Sequence, residues 1–384
     1  MIIGVPKDRL PHENRVGLTP LGVSRLTGAG HEVYVEHDAG AGGRFSDEDY
    51  RAAGGRIAYE PDEVTMRPDL ICRVGSMTLE EARRLRPGVT VAGFLHLAVA
   101  PVELVRELEA RKVSVIGYEI VEDHHGHRPV LTALSEIAGQ MAVHLAAHLL
   151  LSESGGRGII LGGGPGIPPA TVVILGAGTV GRTAAGLALA CGAHVVLLDA
   201  EVERLRDALA HLPTGTVTAV GSPAQVASFT SVADVLIGAV LIPGGRAPYL
   251  VTSEMVRKMR PGSIILDLSI DQGGCVETSR PTTVDRPTFK VGEVTHYCVP
   301  NMTANVPRTA SRALALAALP YLTCIAEHGV EGALQGDAGL ARGVYMYQGR
   351  MVNEPASRAL GLEATPLEDL LARTVVSRTQ EERR

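Results

Sequence analysis

The stretch TVVILGAGTVGRTAA, residues 171–185, reads as a buried strand that breaks into a glycine turn and restarts as a helix. Residues 171–175 are all apolar or β-branched, the composition of a strand covered on both faces. Gly176, Ala177, Gly178, Thr179, Val180 and Gly181 follow with G-x-G-x-x-G spacing, and residues 182–189 are alanine-rich and helical. Each glycine has a mechanical reason. The first permits a tight turn, the second lets backbone approach a pyrophosphate, and the third lets the helix pack closely on the strand. The helix N-terminus then points its unpaired N–H groups at the phosphates.

Working outward, Asp199 closes the next strand, 195–199, 23 residues after Gly176. A carboxylate there bonds the ribose 2′-hydroxyl, which reads as NAD rather than NADP. A glycine turn alone is weak evidence, because the same spacing occurs as plain structural punctuation. Strand, turn, helix, strand and terminal acid in one unit make the reading specific. The other glycine-rich run, GGGPGIPP at 162–169, has three prolines and no P-loop lysine. It reads as a rigid loop.

Further strands are expected at 235–238 and 263–268, and an earlier series at 2–5, 32–36, 70–74, 90–94 and 113–118, with helix-length segments between them. Alternation of this kind predicts α/β architecture: two Rossmann-like domains, each a mostly parallel sheet flanked by helices. A chain of 384 residues also exceeds the size at which one core keeps growing. Residues 135–151 have helical apolar spacing, with Ser135 as N-cap, and read as a long connecting helix. Residues 309–327 read as another helix. Residues 340–347 and 350–352 are weakly patterned and read as a return to the first domain, and 377–384 as a fraying polar tail.

Hydrophobic residues make up 45% and charged residues 20%, which is globular composition, and the formal charge is −6. A net acidic chain has no broad basic field for phosphates, so nucleic acid is excluded as a partner and small molecules are the default. Five cysteines lack any C-x-x-C spacing and read as buried free thiols. The first residues, MIIGVPK, lack a basic n-region and a long apolar stretch, which fits a cytoplasmic location. Residues 313–322 are apolar but interrupted by Pro320 and too short to span a bilayer, so no membrane role is expected.

Arg15, in a loop, offers a bidentate guanidinium suited to a carboxylate. His96 follows the strand at 90–94, and imidazole is the side chain best matched to proton transfer near neutrality. Asp271 follows the strand at 263–268 and precedes a Gln-Gly-Gly turn. Each residue also has a plain structural alternative: an ion pair, a hydrogen-bonded loop residue and a turn cap. The run Asp123-His124-His125-Gly126-His127 looks like a metal cluster but reads as a polar loop, and His144 and His148 share a helix face without the glutamate of H-E-x-x-H. No metal is predicted. Cys275 lies near Asp271 in sequence, with no basic neighbour to favour a thiolate.

Taken together, these segments resemble the alanine dehydrogenase family, which is related to the nucleotide-binding part of proton-translocating transhydrogenase. The likeness runs nearly end to end. It includes Val5-Pro6-Lys7, the Arg15 loop, residues 40–50, Leu95-His96-Leu97, SEIAG at 135–139, residues 162–169, the glycine turn, IGAVLIPG at 237–244, DQGGC at 271–275, SRPTT at 279–283 and His296-Tyr297-Cys298. It implies a substrate domain of residues 1–129 plus 308–384, an NAD domain of 130–307, and a cleft between them. It further implies that Arg15 holds the substrate carboxylate, that His96 is the acid/base, and that Asp271 assists at the reacting amine or water. Asn301 becomes a substrate-binding position, and Ser135, Val240, Leu241 and Met302 become cofactor-binding ones.

The implied activity is NAD-dependent interconversion of a small L-amino acid, alanine first, with its 2-oxo acid and ammonia, in a homohexamer. His96 and the Asp-Gln-Gly-Gly segment separate the chain from the transhydrogenase branch, which as a class lacks both. One departure concerns Gly75, where the family typically has a lysine that contacts substrate. Arg73, two residues earlier, would share a strand face with it and is a candidate substitute charge. Thr303 also replaces the proline of the family's Asn-Met-Pro. Two alternatives follow: an imine reductase or N-alkyl amino-acid synthase with room above Gly75, or a non-catalytic NAD-binding homologue.

Overall fold

Short apolar runs, most of them buried on both faces, build two sheets. The computed structural model describes residues 1–242 and 246–372, so the tail at 377–384 lies outside the described residues. Contacts divide the chain into two units: Met1–Leu134 with the segment from Ala304 onward, and Ser135–Ile242 with Arg246–Thr303.

The first unit holds β1 (Ile2–Val5), β2 (Glu32–Glu36), β3 (Arg56–Ala58), β4 (Leu70–Cys72), β5 (Thr90–Gly93) and β6 (Ser114–Gly117). The second holds β7 (Thr171–Leu175), β8 (His194–Asp199), β9 (Val217–Val220), β10 (Val235–Gly238), β11 (Ile264–Asp267), β12 (Thr288–Val291) and β13 (Val294–Tyr297). The chain then returns to the first sheet as β14 (Val344–Tyr347) and β15 (Arg350–Met351).

Strand order in the first sheet is β15-β14-β6-β5-β4-β1-β2-β3, and in the second β12-β13-β11-β10-β7-β8-β9. Pairing is parallel except where β14 meets β6 and β15, and where β12 meets β13. The chain runs outward from β7 through β8 and β9, then crosses back to β10. The first sheet reverses in the same way between β1 and β4. Such reversals leave a crevice at the carboxyl ends of the strands, where open α/β sheets bind ligands.

Alternation along the strands sorts the second core into two layers. Val172 and Ile174 join one cluster, whereas Val173 and Leu175 join the other. The helix Thr179–Ala190 turns Gly181, Ala184, Ala185 and Ala188 inward, and these small residues let it sit close on the sheet. The helix Pro129–Leu149 buries Ala142, Val143, Ala146 and Leu149 in the same layer.

Several expectations change. Ser135 is not an N-cap: Pro129 opens the helix six residues earlier, a place where its missing N–H costs nothing, and Thr132 N–H already bonds Arg128 O at 2.8 Å. β4 stops at Cys72 instead of 74. Pro320 does not end its helix, which runs Pro307–Gly336 with a break at Gly329 (φ 71°, ψ 164°). Two helices, Pro129–Leu149 and Pro307–Gly336, are thus long and apolar enough to cross a membrane by length and composition. The first buries Ala142, Val143, Ala146 and Leu149, and the second Leu314, Ala315, Ala318 and Leu322. Of the cysteines, Cys72, Cys275 and Cys298 are buried, but Cys191 is exposed and Cys324 half-buried. His144 and His148 both face solvent.

Candidate active site

The glycine turn leaves β7 beside β10, at the reversal point. Gly176 has φ +106°, and a Cβ on it would stand 2.5 Å from Ala239 O at the end of β10. A Cβ on Gly181 would stand 1.8 Å from Gly176 O, so the helix can begin there only with glycine. Around Gly178, by contrast, nothing lies within 4 Å of the Cβ position. Two glycines therefore close the turn on itself, while the middle one presents bare backbone to open space. That is the cradle a pyrophosphate needs.

Asp199, at the end of β8, has a second task that its position in sequence did not reveal. Its Oδ2 accepts Ala177 N–H at 2.8 Å and its Oδ1 accepts Glu201 N–H at 2.9 Å. A carboxylate has about four lone-pair sites, so each oxygen retains one for a ribose hydroxyl. The acid thus ties the turn to β8 while remaining able to bind sugar. NAD fits this donor and acceptor set.

Ser135 and Met302 are buried. Val240 N–H donates to Ser269 Oγ at 3.0 Å, so the loop after β10 rests on the turn after β11. Gln272 secures the same loop, its Oε1 accepting Ile242 N–H and its Nε2 donating to Ile242 O, both at 3.0 Å. Leu241 is half-buried between these ties. Asp267, 1% exposed, accepts N–H groups from Ser269, Cys275 and Val276, and burial raises its pKa. Burial and that neighbouring carboxylate push the Cys275 thiol well up, so it is an inert core thiol. Asp271, in the short helical turn Leu268–Gln272, accepts Asn301 N–H at 2.9 Å.

In the first unit the candidate residues gather at the carboxyl ends of β1, β4, β5 and β6. Arg15 and Glu13 form a buried two-pronged pair, with Nε to Oε1 at 2.8 Å and Nη2 to Oε2 at 2.5 Å. Gly17 lets this loop lie on the end of β4, since a Cβ there would stand 2.5 Å from Cys72 O. Arg73 behaves differently from its expected strand geometry, because β4 has already ended. Its guanidinium curls back to Asp8 Oδ1 (2.6 Å), Gly75 O (2.7 Å) and Ser76 O (2.7 Å), with the side chain 4% exposed. Burial raises the Asp8 carboxyl and Arg73 opposes that rise. At Gly75 a Cβ would meet only Glu13 Oε2, at 3.9 Å, so the position has room for a side chain or ligand group.

His96, three residues beyond β5, opens the short helical turn Leu97–Val99 in the left-handed region (φ 44°, ψ 46°), uncommon for a residue other than glycine. Its N–H donates to Glu119 Oε1 at 2.7 Å, its Nδ1 lies 3.6 Å from the same oxygen, and its side chain is 22% exposed. Tyr345, on β14, donates its hydroxyl to that oxygen at 2.9 Å. Glu13, Asp8, Glu119 and Tyr345 were not singled out from sequence. Glu119 had one readable signal, an acid directly after an apolar strand. Asp123 accepts the N–H groups of His125 and His127 at 2.8 Å each and so organises a polar loop. Among the described residues, the donor group close enough to hold a metal ion is the trio of exposed His37 and Asp38 with half-buried Asp47.

Two α/β units, one closing a dinucleotide turn with an acid and the other presenting an arginine and a histidine at its strand ends, define an NAD-dependent oxidoreductase. Comparison with known proteins narrows the class. The profiles of the N-terminal and C-terminal domains of "Alanine dehydrogenase/PNT" match residues 4–138 and 142–354. An alanine dehydrogenase of Bacillus subtilis is 42% identical over 372 residues, spanning 97% of this chain and 98% of that protein. One from Mycolicibacterium smegmatis is 40% identical over 372 residues, 97% of this chain and 100% of that protein. A solved L-alanine dehydrogenase superposes with a TM-score of 0.86 at 40% identity, covering 94% of this chain and 99% of that one. A transhydrogenase from Sinorhizobium meliloti, 24% identical with a TM-score of 0.75 over 92% of this chain and 99% of its own, shares the fold. The chain belongs to the alanine dehydrogenase/PNT family.

Proposed function

We propose that this protein is an amino-acid dehydrogenase that interconverts L-alanine with pyruvate and ammonia. The observation that carries the reading is the set of groups at the carboxyl ends of parallel strands: Arg15 and His96 in one unit, Asp199 and Asp271 in the other, with the glycine turn. The glycine turn and Asp199 would hold NAD, which would supply the hydride acceptor or donor for the substrate α-carbon. Arg15, whose Nε and one Nη are held by Glu13, is the group assigned to the substrate carboxylate through the rest of its guanidinium. His96 accepts a proton from the water that adds to the imine and returns it in the opposite direction. Asp271, pinned by Asn301 N–H, orients the amine or that water. We assign Arg73 to the scaffold and remove it from the substrate-binding set, because its guanidinium is already engaged by Asp8 and two carbonyl oxygens.

The open space at Gly75 supports a second reading, an imine reductase or N-alkyl amino-acid synthase in which that space takes a further substituent. A soluble cytoplasmic homohexamer is the assembly we propose, and light scattering should return six times the 40.4 kDa chain mass. The deciding assay is NADH consumption with ammonia and a panel of 2-oxo acids, on the native chain and on Gly75→Lys. Pyruvate turnover by the native chain is expected. Turnover with methylamine but not ammonia would favour the second reading, and turnover confined to the Gly75→Lys variant would refute both for the native chain. NADH binding without turnover of either amine would leave a non-catalytic homologue.

A further inference from the structure

Glu119 contains an anomaly. Its side chain is 3% exposed, and its Oε1 receives two donors, the His96 N–H and the Tyr345 hydroxyl. Its Oε2 is buried and has no hydrogen-bond partner among the described residues. A buried carboxylate oxygen left without a donor carries its full desolvation cost, so a native protein retains one for a reason. The His96 ring stands beside this carboxylate, its Nδ1 3.6 Å from Oε1, and a rotation of that ring offers Oε2 the donor it lacks.

Three neighbouring strands build the arrangement. His96 comes from the end of β5, Glu119 from the turn after β6, and Tyr345 from β14, which pairs with β6 on its other side. The His96 backbone is pinned by its own N–H on Oε1, which leaves only rotations of the side chain to bring Nδ1 onto the carboxylate. Burial and the Glu119 carboxylate hold the Tyr345 phenol well above its ordinary pKa, so Tyr345 keeps its proton and donates it to Oε1.

We propose that Glu119 is the positioning residue of His96: its carboxylate accepts the proton on Nδ1, which fixes the ring tautomer and leaves the lone pair of Nε2 for the substrate. In a neutral imidazole one nitrogen donates and the other accepts, and the partner of the first decides which is which. The same carboxylate stabilises the imidazolium formed when Nε2 takes its proton. This inference rests on the acid/base assignment of His96 made above.

The test is Glu119→Gln in the full chain. Glutamine keeps the volume and an Oε1 acceptor for His96 N–H and Tyr345, but its amide group replaces the oxygen that would take Nδ1–H. We expect kcat to fall roughly ten- to a hundredfold, the range seen when a histidine loses its orienting partner. KM for the 2-oxo acid should stay within about twofold, because no substrate contact is removed. An unchanged kcat, or a rise in KM alone, would overturn the proposal. The ¹⁵N shifts of the His96 ring, assigned by comparison with His96→Asn, give a second readout that needs neither turnover nor the Glu119 variant. In the native chain the neutral ring should carry its proton on Nδ1, and a proton on Nε2 would overturn the proposal. If the native chain turns over no 2-oxo acid, the alanine reading fails while the ring spectrum still decides the role of Glu119.

Discussion

A methyl group on Gly181 would land 1.8 Å from Gly176 O, whereas the same group on Gly178 would meet nothing within 4 Å. The two substitutions therefore separate folding from binding. Gly181→Ala should destabilise the second unit by about 1–3 kcal/mol or more, the usual cost of overpacking. Gly178→Ala should unfold at the native temperature yet bind NADH several-fold more weakly, since its methyl occupies the space where phosphate approaches. Thermal denaturation with an NADH fluorescence titration reads both, and equal losses of stability in the two variants would contradict the cradle described here. The three glycines were legible because G-x-G-x-x-G is a local pattern with a steric cause. Glu13 and Glu119 were not, because an acid gains its meaning only from the guanidinium or imidazole that folding brings beside it.

Helix contact carries the glycine requirement beyond the turn. Gly139, in the helix Pro129–Leu149, faces the helix Thr179–Ala190 so closely that a Cβ would stand 2.6 Å from Val180 O and 2.8 Å from Thr183 Cβ. Gly139→Ala should cost about 1–3 kcal/mol by overpacking and weaken NADH binding as well, because the atoms it pushes lie in the first turn of the dinucleotide helix. Stability loss with unchanged NADH affinity would show that the two helices are not coupled in this way. Element boundaries were less legible than element types. Pro320 marks a helix end when only local geometry counts, since it removes one hydrogen bond and crowds the preceding turn. In the folded chain Leu314, Ala318 and Leu322 bury the same helix on both sides of the proline, and packing outweighs that local penalty.

Over the molecule as a whole, acid sensitivity should come in part from His296 on β13. This ring is fully buried, its Nδ1–H donating to Val294 O at 3.2 Å and its Nε2 accepting Thr278 Oγ1–H at 2.8 Å. Desolvation lowers its pKa below the ordinary 6.5. The unfolded chain therefore takes up the proton first as pH falls below about 6.5. The stability contributed by a neutral His296 is fully present above that pH and is lost as pH falls towards the folded value. Denaturant midpoints should decline from about pH 7.5 to 5.5, and His296→Gln should flatten that decline. An equal slope in the variant would place the acid sensitivity elsewhere. Sequence alone determined the two α/β units, the strand–turn–helix, the acid at 199 and the family likeness, because each depends on periodicity or on spacing within some 25 residues. Tertiary structure decided what the polar side chains do. It locked Arg73 onto Asp8, engaged Arg15 with Glu13, gave Asp199 a second task in holding the turn, and left Glu119 Oε2 without a donor beside His96. The physical reason is that burial and partnership set the chemistry of a charge, and both arise only when strands distant in sequence align their ends.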